Sequence, residues 1–395
     1  MKRRDFIKTG ALASGLTMMP EVLRAFSNLP SERGNNKKLV VIQLAGGNDG
    51  LNTVVPYNND IYYRNRPNIA IDKNEVLKLT DELGFNPNMP HLKNLYDNGY
   101  MSIINNVGYK NPNRSHFRST DIWQTASKSN EYLTSGWMGR FIDNNGAMPY
   151  NGIEIDDSLS LIMKGEKTNG IATKAPRILY NNMQTPFFKE ILNYQKKNDN
   201  DGNLKYLYKT MHEARESAEY IFDKYKTSKS KFDYPKNPFG LQLKTTAELI
   251  NSGINTKVYF VTMGGFDTHV YQLNKQNPLL KIYSKAVDTF VKDLEKNDTF
   301  KDTMILTFSE FGRRVKQNAA FGTDHGAANN VHIIAKDLKT QGFYNENPNL
   351  SDLDDNGDVK YSVDFKNIYS TILSNWLDVN DRKILGRKYG KMDFI

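Results

Sequence analysis

The chain is predicted to be an α/β protein with a mostly parallel sheet sandwiched by helices. Two observations carry this expectation. Short apolar, β-rich runs each break off into glycine or polar turns, and helical patterns lie between them. A third sets the scale: 395 residues, 38% hydrophobic and 25% charged, suffice to bury the core of one large domain or two medium ones.

The first segment is an address rather than an element. Met1-Lys2-Arg3-Arg4-Asp5-Phe6-Ile7-Lys8, then a weakly apolar run from Thr9 to Met19, resembles a twin-arginine export signal. Residues 1–30 are therefore read as signal peptide and linker, with the twin-arginine translocase as partner during export. The destination is the periplasm, the cell surface or the medium. Gly10 and Gly15 interrupt the run, and Pro20 follows it. It is shorter than the about 20 apolar residues a membrane helix needs. No later stretch could span a bilayer, so no transmembrane anchor is expected after signal removal.

The ordered domain is expected over 37–395. Its first strand is Val40–Leu44, ending at Ala45-Gly46-Gly47-Asn48-Asp49-Gly50. A helix starts near Ser115 and runs through Thr125. Residues from about 180 to 236 read as a helical insertion, with a charged pattern over Asn203–Thr227 and a Lys/Ser linker over Lys224–Lys231. A second strand, Lys257–Thr262, runs into Gly264-Gly265-Phe266-Asp267-Thr268-His269. A helix follows over Pro278–Lys296. A third strand, Thr303–Phe308, runs into Ser309-Glu310-Phe311-Gly312. In parallel sheets, sites gather in loops beyond the carboxyl ends of strands, and the polar clusters occupy those loops.

Composition removes several classes. The formal net charge is +9, of which residues 1–25 carry +3. The rest is scattered without an Arg-rich, aromatic-interleaved patch, so no nucleic-acid partner is expected. A surface tolerant of small anionic substrates is. There is no cysteine, which excludes disulfides, thiolate metal sites and cysteine nucleophiles. Any metal must then be held by histidines and carboxylates. Gly46-Gly47 lacks the dinucleotide and P-loop patterns.

The candidate residues follow from this. In an extended chain Asp267 and His269 point the same way, so a carboxylate and an imidazole can grip one divalent ion. In Gly322-Thr323-Asp324-His325-Gly326, either His325 is a ligand oriented by Asp324 or the reverse. Asp49 and Glu310 add hard oxygen ligands. Ser115 is an N-cap or a nucleophile activated by metal at a helix start. Arg114 and Arg118 are candidate anion holders. His116 is an acid–base group, a support or structural. Arg313 and Arg314 are candidate anion clamps or surface ion pairs.

Six motifs in fixed order resemble a bacterial family of twin-arginine-exported proteins, domain of unknown function 1501. They are Leu39–Thr53, Asn113-Arg114-Ser115-His116-Phe117, Ser135-Gly136-Trp137-Met138-Gly139-Arg140, Gly265-Phe266-Asp267-Thr268-His269, Thr307–Arg314 and Gly322–Gly326. The family looks like a member of the alkaline phosphatase and sulfatase superfamily. The resemblance implies an alkaline phosphatase-like sheet with a helical insertion, and one or two divalent ions (Zn, Mg, Mn or Ca). It makes Asp49 the first-strand ligand and Ser115 the nucleophile. It places Asp267 and His269 in one metal site, closed by His325, and Glu310 in the other.

The chain departs from the superfamily in two places. Glu310-Phe311 stands where Asp-His is usual, so one histidine ligand is missing there; aligning Asp324-His325 instead would leave no strand before it. Ser115-His116-Phe117 also lacks the Pro and Arg that accompany the modified residue of exported sulfatases. The function expected is an exported metal-dependent hydrolase of phosphate or related esters, with an attacking serine. The alternative is a non-catalytic exported binding or assembly protein with a degraded site.

Overall fold

Strand β1 (Lys38–Leu44) is apolar on both faces, which suits only the centre of a covered sheet. Val40, Ile42 and Leu44 enter one core, and Leu39 and Val41 enter another across the sheet. The structure is a computed structural model that describes residues 36–395, apart from 147, 187, 189 and 191–201. Lys37–Ile395 forms one unit. The segment read as an export signal lies outside the described residues.

The strands follow in chain order as β2 (Val54–Val55), β3 (Leu77–Lys78), β4 (Gly84–Phe85), β5 (Met101–Gly108), β6 (Gly152–Glu154), β7 (Ile171–Ala172), β8 (Val258–Met263), β9 (Thr303–Phe308), β10 (Asn329–Ile334), β11 (Gly342–Phe343) and β12 (Val363–Asp364). The main sheet has the order β11-β5-β10-β9-β1-β8-β6-β7, with β12 also on β5; β2, β4 and β3 form a small sheet. β1 pairs in parallel with β8 and β9. Only β10 is reversed, antiparallel to both β9 and β5. This is the mostly parallel sheet between helical layers that the sequence predicts.

One face carries the helices Pro90–Asp97, Pro238–Asn251 and Gln272–Lys296, and the other the helices His116–Thr125, Trp137–Asn145 and Phe365–Thr371. The helix expected from Pro278 begins six residues earlier, at Gln272, with the proline inside it. Proline removes one backbone bond, but tertiary bonds hold the added turn. The Gln272 amide donates to Asp49, and Gln276 donates to Asn48 and to the Asp49 carbonyl.

In the segment read as an insertion, helix Gly202–Tyr225 lies against Pro176–Met183, with Tyr180 stacked on Phe222 at 4.6 Å. Its Ile221 reaches the main core. Ser230 of the Lys/Ser linker is tied to Glu248 and Asp293. Among the described residues no helix is long and apolar enough to cross a membrane.

Candidate metal centre

The loops after β1, β8 and β9 meet because glycine lets them approach. Gly46 sits at φ +119°, and a Cβ there would lie 2.3 Å from the Asp267 nitrogen. Its own N–H donates to Glu310 Oε1 at 2.8 Å. Arg313, which the sequence offers as an anion clamp, is buried beneath this junction. Its guanidinium donates to the carbonyls of Gly46, Gly47, Phe266 and Thr323 and to Asp267 Oδ1. Asp267 is thereby fixed at the end of β8.

The helix His116–Thr125 brings the fourth loop. Trp123 stacks on Phe308 of β9 at 4.7 Å and on Phe365 at 4.2 Å. The Ser119 hydroxyl donates to the Glu310 carbonyl. Together these seat the helix start over the end of β9. Ser115 occupies the cap position without making a cap hydrogen bond, and it is exposed. His116, the next residue, turns inward.

Three imidazoles and one carboxylate converge there. His116, Asp267 and His325 offer ligand atoms that all lie within 4.8 Å of one another. His269 Nε2 stands 3.1 Å from Asp267 Oδ1 and 2.9 Å from His325 Nε2. His325 Nε2 and His116 Nε2 lie 3.4 and 3.5 Å from the same Asp267 oxygen.

The other nitrogen of each ring faces an oxygen. His116 Nδ1 bonds Glu310 Oε1 at 2.9 Å, His269 Nδ1 bonds Asp324 Oδ1 at 3.2 Å, and His325 Nδ1 bonds the Arg114 carbonyl at 2.7 Å. A carbonyl or carboxylate can only accept, so each Nδ1 carries the proton and each neutral ring turns its Nε2 lone pair inward. His116 Nε2 is buried with no hydrogen-bond partner among the described residues. Three lone pairs and an anionic oxygen face one another, an arrangement that a cation resolves. The donor set, imidazoles oriented by oxygens behind them, fits a divalent ion of the zinc type better than magnesium or calcium, which take oxygen ligands.

The electrostatics of Asp267 and His325 agree, and only His116 is drawn the other way, toward its protonated form. Burial pushes the Asp267 carboxyl up, but the hydrogen bond and charge of Arg313, with His269 and His325, outweigh it and hold the group at about 2. Hydrogen bonding to Glu310 raises His116, whereas burial lowers His325 and favours its neutral, ligating form.

The sequence candidates thus divide. Asp267, His269 and His325 are brought together, and His116 joins them as a fourth donor rather than standing apart as an acid–base group. Glu310 and Asp324 stand behind the rings, and Asp324 supports His269 rather than its neighbour His325. Asp49 is not brought to the cluster. It is buried, caps the helix Gly50–Thr53 through the Leu51 N–H, and is paired with the buried Arg66 and with Gln272.

Arg114 pairs with Asp358 and Asp354. Arg118 donates to the carbonyls of Lys128, Ser129 and Glu131. Arg314 lies 4.0 Å from Asp358. Phe311 is buried against the rings of His116 and His325, at 4.9 and 4.7 Å, so an apolar ring fills the place after Glu310. In Ser135–Arg140 the glycines serve packing. A Cβ on Gly136 or Gly139 would lie 2.2 Å from the backbone of Leu161 or Lys164.

Several solved structures follow a similar course of chain. The lipoteichoic acid synthase LtaP from Listeria monocytogenes is 10% identical, with 79% of this chain and 68% of that one covered and a TM-score of 0.37. The C-terminal periplasmic domain of EcEptC from Escherichia coli, in complex with Zn, is 11% identical over 77% and 75%, TM-score 0.38. The PsFucS1 sulfatase from Pseudoalteromonas sp. is 11% identical over 93% and 75%, TM-score 0.38. Likeness at this level says nothing of chemistry. No protein among the curated sequences matches the chain. A family model matches residues 36–376, and the chain belongs to that family, described as protein of unknown function (DUF1501).

Proposed function

We propose that the protein is an exported, metal-dependent hydrolase of phosphate or related anionic esters. The observation that carries this is the convergence of Nε2 of His116, His269 and His325 with Asp267 Oδ1, each ring held from behind by an oxygen acceptor. These four residues would hold one divalent ion. When bound, it would polarise an ester oxygen and lower the pKa of a nearby hydroxyl.

The chain's own groups supply the rest. Ser115, exposed between Arg114, whose carbonyl orients His325, and His116, offers a hydroxyl that no cap bond engages. Attack by that hydroxyl on the ester's central atom would break its bond to the alcohol, which leaves with the hydroxyl's proton. Water would then release the anion and restore Ser115. Glu310, Asp324 and the Arg114 carbonyl hold the three imidazoles in one tautomer and orientation throughout. Export, with the twin-arginine translocase as partner, rests on Arg3-Arg4 and the residues that follow. The resident ion would be loaded before competition by affinity begins outside.

One observation favours the rival reading of a binding or assembly protein without turnover. Both arginines nearest Ser115 in sequence are engaged elsewhere. A panel of phosphate mono- and diesters, assayed on zinc- and manganese-loaded wild type and Ser115→Ala, separates the two. Turnover by wild type, abolished in the variant at unchanged metal content, is expected. Equal background rates from both would replace the hydrolase with the binding protein.

A further inference from the structure

A cavity of about 540 Å³ lies apart from the metal centre, and its walls are cationic. Lys110 follows β5, Lys128 stands on the turn after the helix His116–Thr125, Lys366 follows β12, and Arg387 and Tyr389 come from near the carboxyl terminus. Asp364 is the one carboxylate in the lining. Four cations around one cavity repel unless anions share it.

The internal neutralisation is thin. Lys366 is only 4% exposed, and burial draws its ammonium below the usual lysine range. Among the described residues its sole acceptor side chain is Asp364, at 3.2 Å, while the ammonium also lies 4.2 Å over the Phe365 ring. An ammonium has three protons to donate. Arg387 reaches Glu131 at 3.8 Å. Lys110 and Lys128 form no ion pair among the described residues.

The wall is also built rather than loose. Arg118, buried and capped by the Tyr132 ring at 3.9 Å, donates to the carbonyls of Lys128 and Ser129 at 3.1 Å and so fixes the turn that presents Lys128. An arginine that reads as an anion holder in the sequence thus positions another cation.

We propose that this cavity binds an anionic saccharide, a sugar bearing phosphate or sulfate groups. Charge calls for several anionic groups on one ligand. The volume falls in the range of small-molecule sites, more than a single tetrahedral anion fills. The Tyr389 ring and hydroxyl suit a sugar face and its hydroxyls. The site does not depend on the metal centre.

Isothermal titration calorimetry on the full chain tests it, with sucrose octasulfate as probe and neutral sucrose and inorganic phosphate as comparison arms. The octasulfate is expected to saturate one site, with affinity that falls as salt rises. Lys110→Glu/Lys128→Glu should weaken binding roughly tenfold or more. A control reversal on distant exposed lysines, Lys73→Glu/Lys209→Glu, should leave binding unchanged, as should His325→Ala. The proposal is overturned by absence of saturable octasulfate binding, or by equal weakening in the two reversal pairs. It is also overturned if sucrose binds as tightly as the octasulfate, or if phosphate alone matches it.

Discussion

Asp49 decides between two accounts of the loop after β1, and Asp49→Asn separates them. Both carboxylate oxygens accept from Arg66, one also from the Leu51 N–H and the other from Gln272. The Asp49 and Arg66 side chains are both 0% exposed. Arg66 further donates to Asn52 and to the carbonyls of Arg314 and Val315, tying the turn to the segment after Glu310. Asparagine keeps one acceptor but places an amide among donors and leaves a buried guanidinium without its counter-charge.

Breaking a buried pair from one side costs about 3–5 kcal/mol. Unfolding entropy of about 2.1 cal/mol/K per residue, over roughly 360 residues, converts this to a Tm lower by about 4–7 °C. Differential scanning calorimetry reads the shift, and elemental analysis of the same samples reads the metal. The expected result is a lower Tm with metal per folded chain unchanged. An unchanged Tm with metal lost would refute the structural role and restore Asp49 as a ligand.

Two further outcomes follow. Glu310→Gln keeps an acceptor for His116 Nδ1 but removes the charge behind it, so metal affinity should fall about tenfold, the lower end of the range for such supports, as read by competition with a chromophoric chelator. Glu154, at the end of β6, is raised to about 7, chiefly by burial, against the hydrogen bonds of Ser160. A carboxyl raised in the folded state binds its proton more tightly there. Its contribution is therefore full below about 4.5 and lost as pH climbs through about 7, roughly 3 kcal/mol in all. Denaturant melts of Glu154→Gln across that window should lack this fall, and a curve parallel to wild type would refute the assignment.

Much of the fold is legible because β1, β8 and β9 are buried on both faces and so read as unbroken apolar runs ending at glycine or polar turns. β5 and β10 escape that reading. Asn105 and Asn106 interrupt one and His332 the other, and the partners they do meet are remote in sequence, Asn345, Glu346 and Tyr283. The cluster is half legible in the same sense. Asp267, His269 and His325 stand out as residue types in glycine-flanked loops. Which oxygen each Nδ1 meets is a tertiary fact, however, and it turns His116 into a donor and Asp324 into a support. The partner of Asp49, Arg66, lies in a segment with no motif at all. The buried network around Arg313 has only an Arg-Arg pair to announce it, which reads equally as surface charge.

The central claim is that one divalent ion sits among His116, Asp267, His269 and His325. X-ray data collected across the zinc and manganese edges, from protein purified without chelator and from protein reloaded with each ion, test it directly. A single anomalous peak bounded by the three Nε2 atoms and Asp267 Oδ1 is the predicted result. A peak at Asp49, or none at the cluster after reloading, would contradict it.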